Sequence, residues 1–130
     1  MRTNTLNLKK KIDSTFEETI IRVQSALKEQ GFGILTEIDV KETLKNKLDV
    51  DYPNYRILGA CNPHLAKKAL DTDKEVGTLL PCNVIVYDTS DGIQVSIQSP
   101  VEMMKALKNE RLNDVAQEAE SRLRKVLESL

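Results

Sequence analysis

Residues 82–98, CNVIVYDTSDGIQVSIQ, constrain the fold more than any other stretch of the chain. Ile93, Val95 and Ile97 alternate with Gln94, Ser96 and Gln98, a period of two that puts the apolar set on one face of a strand. The strand before it, PCNVIVYD, is joined to it at Thr89-Ser90-Asp91-Gly92, and Asp-Gly is a hairpin signal. The result is an antiparallel pair with one apolar face and one wet face. A doubly wound parallel sheet, covered on both sides, would read as continuous apolar runs instead.

The other segments supply three more strands and the helices. Leu6, Leu8 and Ile12 give a strand over 4–12. Ser14-Thr15-Phe16-Glu17 is a capping-box pattern, with Ser14 as the cap and Glu17 reaching back. Phe16, Ile20, Val23 and Leu27 then form one helical stripe, which Gly31 ends. In GFGILTEIDV, Phe32, Ile34, Ile38 and Val40 share a strand face. Leu44 and Leu48 mark a short helix. In NYRILGAC, Tyr55, Ile57, Gly59 and Cys61 share one face, and Arg56, Leu58 and Ala60 the other. Asn62 is placed to cap the next helix and Pro63 to open it, where its missing amide costs nothing. Leu65, Ala66, Ala69 and Leu70 are that helix's apolar side. Ser99-Pro100-Val101-Glu102 repeats the capping logic. Leu112, Val115, Ala119, Leu123, Val126 and Leu130 make a long stripe. With Asn109 as the interruption, the pattern predicts a short helix over 100–107 and a longer one over 110–129. These elements read as an α+β fold: a mainly antiparallel five-stranded sheet with helices on one face.

The chain's 130 residues suit a single domain spanning 1–130, because such a length buries roughly two thirds of its unfolded surface. A net charge of −1 leaves no domain-wide basic field for nucleic acid. The run Lys9-Lys10-Lys11 reads as a solvated strand edge that resists edge-to-edge pairing. Aromatic residues are 4% and tryptophan is absent, which counts against a stacking platform for single strands. No segment approaches the roughly 18 apolar residues of a membrane span, and the N-terminus has no apolar secretory core. Two cysteines do not make a disulfide framework, so a reducing cytoplasm is the expected home.

Chemistry has few candidates. Each cysteine is followed by asparagine, in Gly59-Ala60-Cys61-Asn62-Pro63-His64 and in Leu80-Pro81-Cys82-Asn83. By parity, Cys61 goes with Tyr55 and Ile57, and Cys82 with Val84 and Val86. Both are expected to face the apolar layer, close together if their strands are antiparallel neighbours. Three readings stay open. Both cysteines are small buried hydrophobes; or they form a thiol or soft-ligand site beside a helix N-terminus; or they form a disulfide. Cys61, Cys82 and His64 would offer the sulfur and nitrogen that suit zinc or copper, but three ligands leave a structural zinc site incomplete. A lone histidine in a first helical turn reads as a surface residue. Met103 and Met104 are adjacent on a helix, so one packs in the core, and a methionine metal site is not expected. No glycine-rich phosphate loop and no Ser/His/Asp set stands out.

GFGILTEIDV, YRILGACNPHLAKKAL, VGTLLPCNVIVYD and SPVEMM, in that order, resemble the domain-of-unknown-function 302 family. The resemblance covers nearly the whole chain, and its most specific marks are Gly-Ala-Cys-Asn-Pro and Leu-Leu-Pro-Cys-Asn. It implies a TBP-like, helix-grip-related architecture, a curved antiparallel sheet crossed by a long C-terminal helix, and it implies a homodimer. It leaves Cys61, Asn62, Pro63, Pro81, Cys82 and Asn83 as the set of interest. The resulting expectation is a cytoplasmic ligand-binding or regulatory module without catalysis, its site at Cys61, Asn62, Pro63, Cys82 and Asn83. No cofactor is expected beyond a soft metal on Cys61, Cys82 and His64, and neither nucleic acid nor membrane is a partner. The alternatives are a thiol redox or sulfur-transfer enzyme, with Cys61 as nucleophile and Cys82 as resolving thiol, and a purely structural dimer.

Overall fold

The structure is a computed structural model that describes residues 6–130. Its strands are β1 (Asn7–Ile12), β2 (Gly33–Asp39), β3 (Tyr55–Cys61), β4 (Cys82–Thr89) and β5 (Gly92–Gln98). The helices are α1 (Phe16–Glu29), α2 (Val40–Leu48), α3 (Pro63–Thr72), α4 (Pro100–Lys105) and α5 (Asn113–Glu128). Short 3-10 turns at Lys74–Leu79 and Glu110–Leu112 precede β4 and α5. The sheet order is β1-β5-β4-β3-β2, and every neighbouring pair is antiparallel. The α+β class, the five-stranded antiparallel sheet and the long C-terminal helix all match the sequence reading.

The sheet's inner face carries Leu8, Ile12, Leu58, Ala60, Val84, Val86, Ile93, Val95 and Ile97. Phe16, Ile20, Val23 and Leu27 of α1 and Leu123, Val126 and Leu127 of α5 close over it. Each fully buried branched side chain of this set stabilises the fold by about 1.5–3 kcal/mol relative to an exposed one. A second, smaller core of Ala69, Val76, Met104, Leu112 and Ala116 lies where α3, α4 and α5 meet. The inner face also holds two cations. Lys10 turns inward and donates to the carbonyls of Leu127 (3.0 Å) and Leu130 (3.3 Å) at the end of α5, so only Lys9 and Lys11 keep the role of a solvated edge. Arg56 lies over the Phe16 ring at 5.6 Å and is ringed by Glu17, Glu37 and Asp39.

Two local expectations need correcting. The cap of α1 is Thr15, which accepts from the Glu18 amide at 3.1 Å, and not Ser14, whose hydroxyl donates to the Glu18 carboxylate. Starting the helix at Phe16 is what seats Phe16, Ile20, Val23 and Leu27 together in the core. The second correction is in β2. Ile34 pairs with Ala60, but Thr36 pairs with Gly59, so Leu35 is an extra residue, a β-bulge. A bulge inverts the alternation beyond it. Ile38 therefore lies opposite Ile57 on the outer face and is exposed, while Phe32 is buried.

The outer face carries the residues that alternate with the core. Ile38, Ile57, Ile85, Ser96 and Lys9 stand in one register row across all five strands. Tyr55 and Tyr87 stack across β3 and β4 with ring centres 5.2 Å apart.

Candidate functional site

The two Cys-Asn elements meet at one end of the sheet. β3 ends at Cys61 and β4 begins at Cys82, and their antiparallel register sets Ala60 opposite Cys82. The adjacency expected from the sequence is present, but the shared face is not. Cys82 points with Val84 and Val86 into the core and is buried. Cys61 has the opposite parity, that of Ile57 and Gly59, and is partly exposed. The last residue of β3 is nevertheless close enough to the helices that both cysteines line one small cavity.

Asn62 builds the rest of that corner. Its side-chain oxygen accepts from the Leu65 amide at 3.2 Å, capping α3, and Pro63 takes the first helical position. Its side-chain amide donates to the Gln30 carbonyl at 3.4 Å, a bond at the long end of the range. Gln30 ends α1 in a Schellman motif: Phe32 donates to the Leu27 carbonyl and Gly31 to that of Lys28. Gly31 has φ +84, and a Cβ there would come within 2.9 Å of the Asn62 amide nitrogen. Arg122 of α5 donates to the same Gln30 carbonyl. Asn62 is therefore committed to the scaffold at both ends of its side chain.

The cavity holds about 30 Å³ and is lined by Cys61, Asn62, Cys82, Met104, Phe32 and Leu80, with small and aliphatic residues between them. Burial pushes the Cys61 thiol above its ordinary value. Burial pushes Cys82 up to about 11, against a hydrogen bond from Gln98 that lowers it and the nearby Cys61 that raises it. Both are therefore neutral thiols near pH 7, whereas nucleophilic attack and disulfide exchange need a thiolate.

The remaining expected residues lie outside the cavity. Pro63 and His64 are exposed on the first turn of α3. Asn83 is exposed opposite Gly59 on the outer face. Gly59 has a structural reason: a Cβ there would collide with the Thr36 hydroxyl and come within 2.9 Å of Pro81. His64 does not join the cysteines, and among the described residues no three His, Cys, Asp or Glu side chains converge as a metal site. Sequence reasoning missed Met104, Phe32 and Leu80 as cavity walls. In sequence, Phe32 reads as a strand-face residue and one of Met103 and Met104 as core, and nothing local marks them or Leu80 as walls of one cavity.

The comparisons with known proteins agree with this architecture. The family described as "Domain of unknown function DUF302" matches residues 8–130. A crystal structure of an uncharacterized conserved DUF302 protein from Bacillus stearothermophilus is similar at 28% identity, with a TM-score of 0.90 over 97% of this chain and 98% of that one. No curated protein matches the chain. The match across nearly the whole length, with both Cys-Asn elements inside it, shows that the chain belongs to the DUF302 family, a family of unknown function.

Proposed function

We propose that the protein is a small binding module without catalysis of its own, and that its ligand enters the cavity between Cys61 and Cys82. One observation carries this reading: two cysteines from separate strands line the same apolar space under α3, α4 and α5. Their raised pKa values favour a binding role over the thiol-enzyme alternative, because neither cysteine is a ready nucleophile at neutral pH. A reducing cytoplasm fits two free thiols. No helix among the described residues is long and apolar enough to cross a membrane. The test is native mass spectrometry of freshly purified protein beside its Cys61→Ser/Cys82→Ser variant. The reading expects a retained mass that the variant loses. Identical spectra and unchanged melting in the two proteins would remove it.

We also propose that the module pairs with a second copy through the outer face of its sheet. The row Ile38, Ile57 and Ile85 and the Tyr55–Tyr87 stack give this face an apolar centre. Lys9 and Lys11 on β1 lie at one edge, Lys11 paired with Asp91; Asp49 and Asp51, strongly exposed and paired with Lys45, follow α2, which leads out of the strand at the other edge. A two-fold axis through the centre would set the lysines of one copy against the carboxylates of the other, as a self-complementary interface requires.

A further inference from the structure

The cavity contains a third sulfur. Met104 of α4 lines it together with Cys61 and Cys82, and is itself buried at 8% exposure. Its neighbour Met103 is not part of the lining. Asn62, the polar wall, has its oxygen on the Leu65 amide and its nitrogen on the Gln30 carbonyl. The sulfur-bearing residues of the lining are thus two cysteines and one methionine, drawn from β3, β4 and α4.

Donor chemistry and size point to the same class of ligand. Calcium and magnesium favour carboxylate oxygens, and no Asp or Glu lines the cavity, while the Asn62 side-chain oxygen is held by the Leu65 amide. Structural zinc takes four ligands, usually with several charges, and the site has three sulfurs and no imidazole or carboxylate. Thiolate and thioether donors select soft ions such as Cu(I). A cavity of about 30 Å³ admits one body of about the size of a water. Pockets for organic ligands run to about 300 Å³ and above. We propose that Cys61, Cys82 and Met104 form a three-sulfur site for a single soft monovalent cation, of the Cu(I) class. This rests on the reading of the cavity as a binding site and names its ligand. Each thiol that coordinates gives its proton to solvent, and the ion enters and stays as Cu(I), so no oxidant or reductant takes part. The N-terminus of α3, which begins just after Cys61, favours negative charge on that sulfur.

The experiment is anaerobic titration of the reduced full chain with acetonitrile-stabilised Cu(I), in competition with a chromophoric Cu(I) chelator. One Cu(I) per chain is expected, with thiolate-to-copper absorption in the near ultraviolet. Met104→Leu keeps the packing volume and should weaken binding by about tenfold or more. Cys61→Ser and Cys82→Ser should each remove the stoichiometric ion. His64→Ala should bind like the wild type, and Zn(II) should not be retained. Circular dichroism and melting confirm that each variant is folded. Failure to hold Cu(I) against the chelator, or wild-type affinity in folded Met104→Leu, would overturn the three-sulfur assignment. The native mass spectra separate the two failures. A non-metal adduct lost in Cys61→Ser/Cys82→Ser, without Cu(I) binding, overturns the ion and keeps the site; neither adduct nor Cu(I) overturns both.

Discussion

At the scale of single residues, Cys82 and Gly59 make the sharpest statements. An unfolded Cys82 thiol ionises near its ordinary value, while the folded one keeps its proton up to about 11. Between those values the unfolded state sheds a proton that the folded state retains. This contribution to stability is therefore complete below the ordinary thiol pKa and is lost as pH rises through the window. The loss is on the order of 2 kcal/mol by the upper end. Urea denaturation on both sides of the window should show a shallower fall for Cys82→Ala than for the wild type; parallel slopes would refute it. At neutral pH, alkylation should be slow at both thiols and faster at Cys61, the more exposed one. Peptide mapping reads the order. Gly59→Ala should cost about 1–3 kcal/mol by overpacking, because the new methyl meets Thr36 and Pro81. Thr36→Ala in the same chain should restore part of that loss in denaturation midpoint, which a purely entropic glycine effect would not.

At the scale of elements, the informative joint is where α1 ends and α3 begins. Asn62 caps α3 and also holds the last carbonyl of α1. Asn62→Ala removes both bonds, and a loss of about 1–2 kcal/mol in chemical denaturation is expected. Asn62→Asp keeps the cap and removes only the donor to Gln30, so its loss should be smaller. Equal losses would mean that the long bond to Gln30 dominates. The same logic operates at α4, where Ser99 accepts from the Glu102 amide and donates to Glu120 of α5. Caps of this kind are legible in sequence because donor and acceptor lie within three residues. The one misplaced cap, Ser14 for Thr15, shows the limit. Both residues can cap, and it is the burial of Phe16 that chooses between them.

At the scale of the whole molecule, the outer face of the sheet carries an apolar row, Ile38, Ile57 and Ile85, that is partly exposed. Sedimentation velocity across a dilution series should show a dimer that dissociates on dilution. Ile38→Lys should yield monomer at concentrations where the wild type pairs, with little change in melting, because Ile38 is 47% exposed in the single chain. A monomer at every concentration in the wild type would remove the pairing proposal. Raised salt should weaken the dimer if Lys9 and Lys11 face carboxylates across it.

The sequence by itself determined the elements and the class of the sheet. Period-two alternation in 93–98, the caps at Asn62 and Ser99, and the stripe from Leu112 to Val126 are properties of neighbours within a turn or a strand. Local sterics and local hydrogen bonds settle them. Tertiary structure alone decided the rest. The bulge at Leu35 reversed Ile38 through pairing with β3, a choice made between strands and invisible within one. The pairing of β3 with β4 put Cys61 and Cys82 on opposite parities, and packing brought them to one cavity all the same, because the end of β3 meets α3, α4 and α5 there. Met104 joined them for the same reason. Residues distant in the chain share a site only once packing has brought their elements together, and no periodicity records that meeting.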